Sequence, residues 1–137
     1  MSSEERLFTP AEVNALVPRL GALLERLQRC ALALHAEREA FGGGRAVEDV
    51  ASLVRARPLA RRLVEDMDAI VAEIGAMGGQ LKDLELGLVD FPAEVGGERV
   101  LLCWQFGEPA VAFWHRDGEG FAGRRRLPGR HQRPALQ

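Results

Sequence analysis

Tyrosine is missing altogether, threonine occurs once (Thr9), serine three times (Ser2, Ser3 and Ser52) and lysine once, Lys82. A chain this poor in hydroxyl groups has little material for nucleophilic catalysis. Thr9 sits where a helix cap is needed, Ser2 and Ser3 lie in the first residues, and Ser52 falls inside a helical pattern. No G-x-S-x-G elbow surrounds any of them. The two cysteines, Cys30 and Cys103, are far apart and make no C-x-x-C pair, the usage of a reducing compartment. No apolar run approaches the roughly 18 residues of a membrane span. The opening Met-Ser-Ser-Glu-Glu-Arg is acidic and has no apolar leader, so a cytoplasmic protein with no membrane contact is expected.

What is present is a soluble composition: 137 residues, 47% hydrophobic and 28% charged. One domain of this length buries enough surface to need no disulfide or metal for folding. The net charge of -2 conceals an uneven distribution. Residues 1–123 carry 13 basic groups against 20 acidic, whereas 124–137 carry five arginines and no acid. An acidic body with an Arg124-Arg125-Arg126 run and no interleaved aromatics predicts solvation or non-specific electrostatics, and no specific nucleic-acid partner.

Thr9-Pro10-Ala11-Glu12 is a capping box with proline at the first helical position, and Phe8 and Val13 stand where a hydrophobic staple forms. Val13, Leu20, Leu27 and Leu34 then recur every seven residues, with Leu16, Leu23 and Cys30 between them. This spacing predicts a helix from about Pro10 to Ala40, bent rather than stopped at Pro18. Gly42-Gly43-Gly44 follows without a preceding strand or a Gly-Lys-Ser/Thr, so it reads as a helix-to-helix loop and not a phosphate cradle. Val50, Leu53, Ala60, Leu63, Met67, Ile70 and Ile74 mark a second helix over about Val47–Met77, with a bend at Pro58 and an exit at Gly78-Gly79. The two arms predict an antiparallel hairpin with a stripe that needs covering.

From Leu81 the period changes toward two. Leu84, Leu86 and Leu88 alternate and Val89-Asp90-Phe91-Pro92 closes a segment. Glu94–Glu98 is turn-rich, Arg99–Phe106 is rich in strand formers, Gly107-Glu108-Pro109 turns the chain, and Ala110–His115 returns. The expected fold is α+β: a long two-helix hairpin packed with a small antiparallel β-meander of about three strands. One domain is expected over 1–127, with the hairpin at 9–78, the β-rich part at 81–123 and a flexible basic tail at 128–137.

Cys30 falls on the apolar stripe and reads as a buried structural thiol. Cys103 has His115 on the neighbouring strand. With a turn of two or four residues at Gly107–Pro109, cross-strand partner numbers sum to an odd value. His115 then shares a face with Leu102, Trp104 and Phe113, and Cys103 points the other way. A Cys–His pair requires an odd-length loop or a bulge. Asp90, Glu108, His115, Asp117 and Glu119 are scattered donors, a weak metal pattern, and His115-Arg116-Asp117 lacks the companions of a kinase catalytic loop.

Five strings set a wider context. They are Phe8-Thr9-x-x-Glu12-x-Asn14-x-Leu16-x-Pro18, Lys82-Asp83-Leu84-Glu85-x-Gly87-Leu88-Val89-Asp90-Phe91-Pro92, Leu102-Cys103-Trp104-x-x-Gly107-Glu108, Trp114-His115 and Gly120-Phe121-Ala122-Gly123-Arg124. Together they resemble the bacterial family known as domain of unknown function 2203. The resemblance runs to Leu127; Arg125 and Arg126 depart from it. It implies kinship without an activity. Its motifs draw attention to Lys82, Asp90, Glu108, His115 and Arg124 at turns and strand ends, which are expected to meet on one rim above Trp104, Trp114 and Phe121. Such a site suits a small anionic or mixed-charge ligand. The expectation is a binding or regulatory module with no catalytic residue, no metal and no cofactor, leaning against an enzyme, and self-associating through spare helical surface. The alternatives are a scaffolding protein acting through its hairpin, or a metal-assisted hydrolase built on Asp90, Glu108 and His115.

Overall fold

The computed structural model describes residues 5–42 and 50–128. In chain order its elements are α1 (Pro10–Gly42), α2 (Val50–Ala56), α3 (Pro58–Ala76), β1 (Gln80–Asp83), β2 (Leu88–Val95), β3 (Glu98–Gln105), β4 (Phe113–His115) and β5 (Arg125–Arg126). A single 3-10 turn, Phe121–Gly123, lies between β4 and β5. The α+β class holds, with five strands in place of about three and with the second helical arm divided in two. The residues form two compact units, 19–77 and a second made of the N-terminal segment to Pro18 together with Gly78 onward.

In the helical unit the stripe of α1 is buried at Leu20, Leu23, Leu24 and Leu27. Leu53 of α2 and Ala60, Leu63, Ile70 and Ile74 of α3 complete this apolar set. Arg19 pairs with Glu73, and Arg57 pairs with Glu37 at 3.0 Å, so the arms run antiparallel. The second arm breaks where a bend was expected. Proline clashes with a helical residue before it, and Arg57 accordingly takes an extended conformation (φ -127°, ψ 105°) and becomes the N-cap of α3. Pro18, by contrast, sits inside continuous helix. Gly43, Gly44 and the expected start at Val47 lie outside the described residues, as does the tail after Pro128.

The second unit starts with the capping box as expected. Thr9 N–H donates to Glu12 Oε1 at 2.9 Å and Glu12 N–H to Thr9 Oγ1 at 3.1 Å. Phe8 and Val13 are both buried, and Phe8 meets Phe91 edge to face at 5.1 Å. Gly78 allows this. Its φ is +99°, and a Cβ there would lie 2.2 Å from Phe8 Cζ.

The sheet is an antiparallel meander in the order β1-β2-β3-β4-β5. Two-residue closure at Gly96-Gly97, both with positive φ, pairs Val95 with Glu98. Strand β2 continues through Pro92 instead of closing there. The ladder with β1 reaches only to the Gln80–Asp90 pair, leaving the Pro92 side of β2 as an edge. Phe8 N–H donates to the Pro92 carbonyl at 2.7 Å, so the missing proline N–H faces that same edge and breaks no ladder bond. Leu84 and Leu86 do not extend a strand: Asp83 Oδ1 accepts the Leu86 N–H at 2.8 Å and turns the chain into Gly87.

Candidate functional site

Loop length decides which side chains meet on this sheet. Between Gln105 and Phe113 the chain runs through the residues 106–112, an odd number. Leu101 therefore pairs with His115, Leu102 with Trp114 and Cys103 with Phe113. His115 thus shares a face with Leu101 and Cys103, which corrects the expectation from an even-length turn. On the other side of β3, Cys103 lies opposite Asp90 of β2. Three adjacent strands thereby contribute one polar side chain each to one place. Asp90, Cys103 and His115 are all buried, and one ligand atom from each lies within 4.8 Å of the other two.

His115 Nδ1 lies 2.8 Å from the Arg116 carbonyl. A carbonyl only accepts, so Nδ1 carries a hydrogen and Nε2 points at the carboxylate, 2.9 Å from Asp90 Oδ2. The pair shares one proton across that contact. Asp90 Oδ1 is buried and has no hydrogen-bond partner among the described residues. Burial raises the Asp90 carboxyl above its usual range, opposed by the charge of His115, by the adjacent Cys103 thiol and the His115 contact and, more weakly, by the charge of Lys82. Burial, with the neighbouring Asp90 charge, also pushes the Cys103 thiol up to about 12. A buried thiol of that kind is not a nucleophile at neutral pH.

Asp90 forms part of the floor of a recess of about 290 Å³, lined also by Glu5, Arg6, Gln80, Arg99 and Leu101. Its lining carries two arginines and two carboxylates. Arg99 is held by Glu5 at 2.6 Å and by Asp117 at 2.7 Å. A larger depression, about 870 Å³, is walled mostly by apolar residues such as Pro10, Val111, Phe113 and Leu127; of its polar residues Asn14, Glu108 and Arg126, the first two are already bonded to Val111 and Arg124. The smaller one is the chemically organised of the two.

The sequence-derived rim residues fall into separate groups. Asp90 and His115 meet directly, and Lys82 acts on Asp90 through its charge. Trp104, Glu108 and Arg124 make a second cluster. Arg124 Nη2 donates to Glu108 Oε1 and Oε2 at 3.0 and 2.9 Å and to the Cys103 carbonyl at 3.2 Å. Glu108 also accepts the Gln105 N–H at 2.8 Å, and its carbonyl accepts Trp104 Nε1–H at 2.9 Å. These bonds clamp the turn after β3. Trp114 points to the face opposite His115, with the guanidinium of Arg116 5.2 Å and that of Arg125 5.0 Å from its ring centre. Sequence reasoning placed Leu102 and Trp104 on the His115 face and Cys103 on the other; the register reverses all three, and loop parity was the signal that controlled it.

The family described as "Uncharacterized conserved protein (DUF2203)" matches residues 6–127. The chain belongs to the DUF2203 family. The match takes in both compact units and every residue of the Asp90–Cys103–His115 cluster. No curated protein and no solved structure matches the chain. No helix among the described residues of this DUF2203 member is long and apolar enough to cross a membrane.

Proposed function

We propose that this DUF2203 protein is a small binding module whose site is the recess above Asp90, and that its ligand is a small compound of mixed charge. The observation that carries this reading is the buried Asp90 carboxylate at the recess floor, with one oxygen held by His115 and the other unpartnered among the described residues. A buried acceptor left open calls for a donor or a positive charge from outside. The rim arginines, Arg6 and Arg99, suit an anionic group on the same ligand. A purely anionic compound would meet a carboxylate at the floor, so mixed charge is favoured. Glu108 does not stand with Asp90 and His115, its carboxylate being held by Arg124 and Gln105, and the hydrolase built on those three acids and bases is not proposed.

The test is a thermal-shift screen of zwitterionic and anionic metabolites, followed by calorimetric titration of the hits. Binding should be lost in Asp90→Asn and weakened about 10-fold or more in Arg99→Gln. No shift from any compound with a folded protein, or hits indifferent to both substitutions, sinks the reading.

A further inference from the structure

Burial makes the Asp90–Cys103–His115 cluster unusual. Each of these side chains is at most 4% exposed, and each comes from a different strand of one sheet. A carboxylate, a thiol and an imidazole converge in a part of the sheet whose other buried residues are apolar: Val89, Phe91, Leu101 and Leu102. Neither a thiol nucleophile nor a hydrolytic dyad accounts for them. The thiol is buried, and among the described residues the imidazole is bonded to the Arg116 carbonyl and Asp90 rather than to a hydroxyl.

We propose that Asp90, Cys103 and His115 bind one divalent transition-metal ion of zinc's class, with a remaining coordination position open to the recess. This rests on the binding reading above and names the positive charge that its floor requires. Four observations support it. First, the three donor atoms lie within 4.8 Å of one another. Zinc bonds of about 2.0–2.3 Å in a tetrahedron set ligand atoms about 3.4 Å apart, so small side-chain adjustments close the set. Second, Asp90 Oδ1 is a buried carboxylate oxygen with no partner among the described residues, and so is available as a ligand atom. Third, His115 is oriented as metal-bound histidines are. Its Nδ1–H is fixed by a backbone carbonyl and Nε2 is turned toward the other two donors. Fourth, a thiolate in the set selects zinc, cobalt or iron over magnesium and calcium, which prefer oxygen alone.

A divalent ion is compatible with the charge of this donor set. Without metal the cluster holds a neutral thiol and a carboxylate–imidazole pair sharing one proton, which sums to zero. A divalent ion forms bonds to Sγ, Nε2 and a carboxylate oxygen, and displaces the thiol proton and the shared proton to solvent. The loaded site holds one thiolate, one carboxylate, a neutral imidazole and a 2+ ion, again zero. A buried site gains no net charge on loading, which avoids the large penalty of an uncompensated interior ion. Of the three ligands Asp90 lines the recess, from which an anionic group of the ligand would complete the shell.

The experiment begins with full-length protein purified without chelator, analysed for metals, then stripped and titrated with zinc alone. One equivalent is expected, with a higher melting temperature for the loaded form. Cobalt(II) in place of zinc should give visible bands of tetrahedral cobalt and a near-ultraviolet thiolate-to-cobalt band. That band should vanish in Cys103→Ser and Cys103→Ala, while His115→Gln and Asp90→Asn weaken affinity about 10-fold or more. Circular dichroism on every variant separates loss of ligand from loss of fold, and Cys30→Ser should leave the spectrum unchanged. Absence of stoichiometric zinc and cobalt binding by folded protein overturns the proposal, as does a thiolate band that survives both Cys103 variants. A stripped protein that binds no metal yet still binds an organic compound through Asp90 overturns the metal and spares the module. A protein that loads one metal and ignores every organic compound supports the metal site and overturns the organic-ligand reading.

Discussion

Arg124 and Glu108 test whether the second cluster is a clamp, and the structure fixes the size of the effect. The Arg124 side chain is 10% exposed and that of Glu108 22%, so their ion pair is shielded, unlike Arg116–Glu98 at 44% and 47%. Arg124→Met keeps the stem and removes the guanidinium. It takes away a charge-assisted bond to Glu108, about 1.5–3 kcal/mol, and a bond to the Cys103 carbonyl, about 1 kcal/mol. Stacking on Phe113 at 4.1 Å and Phe121 at 5.0 Å adds about 1 kcal/mol. Arg124 Nε is buried with no partner among the described residues, and losing it returns about 1–2 kcal/mol. The net destabilisation should be about 2–4 kcal/mol. Urea denaturation of Arg124→Met, Glu108→Gln and the double variant, with unchanged m, should give a coupling energy of about 2 kcal/mol. The same cycle on Arg116 and Glu98 should give less than about 1 kcal/mol. Equal coupling at the two pairs, or less than about 0.5 kcal/mol at the buried one, would refute the argument that burial and the turn it clamps make this pair structural.

Gly78→Ala should destabilise the protein by about 2 kcal/mol or more, because the new Cβ meets the Phe8 ring at a positive φ of +99°; Phe8→Leu in the same background should recover part of the loss in a thermal melt. Acid should also weaken the fold through Glu119, whose carboxyl is held down to about 2 by Arg125 and the Arg116 N–H, against 4.5 for a free glutamate. A depressed carboxyl adds stability above its unfolded value and loses it as pH falls, so melting temperature should drop between pH 4.5 and about 2, and Glu119→Gln should flatten that drop. A Glu119→Gln melt with the same acid slope as the parent would remove Glu119 as a contributor.

Local chemistry was legible in the sequence wherever the chain's neighbours decide the conformation. The capping box at Thr9 and Glu12, the burial of Phe8 and Val13 beside it, the seven-residue seam through Leu27 and the Gly96-Gly97 turn all have causes within a few residues. The errors arise where a distant group intervenes. Ala110-Val111-Ala112 has strand composition, yet the Val111 N–H is taken by Asn14 Oδ1 at 2.7 Å and the Ala112 carbonyl by the Leu127 N–H at 2.8 Å. The first bond takes the Val111 N–H away from the β3 ladder, while the second continues the β4–β5 register, so pairing with β3 begins only at Phe113. Nothing local announces either partner. Pro92 is similar, since its tolerance inside β2 depends on the Phe8 backbone supplying the edge contact. One unit of loop length then moved Cys103 from a solitary thiol to a member of the cluster with Asp90 and His115.

That cluster is hard to explain as a device for stability. Val89 and Phe91 flank Asp90 on β2 and are buried completely. Those two side chains point to the other face of the sheet; on its own face a valine or leucine at position 90 would sit beside Cys103 and His115 without adding an ionisable group. Asp90 instead buries a carboxyl with one oxygen unpartnered among the described residues, a state that costs about 1–3 kcal/mol relative to a satisfied one. Its pair with His115 offsets part of this, but a buried pair commonly does no better than apolar residues of similar volume. Replacing Asp90 and His115 together by leucine should therefore leave the folded protein about as stable as the parent, while His115→Leu alone strands the carboxylate and should cost about 3–5 kcal/mol. Sequence rules of folding are broken most often where a site must do something other than fold. A polar cluster that the sheet does not need for packing, one member of which lines a recess, is what motivates the ligand site proposed above.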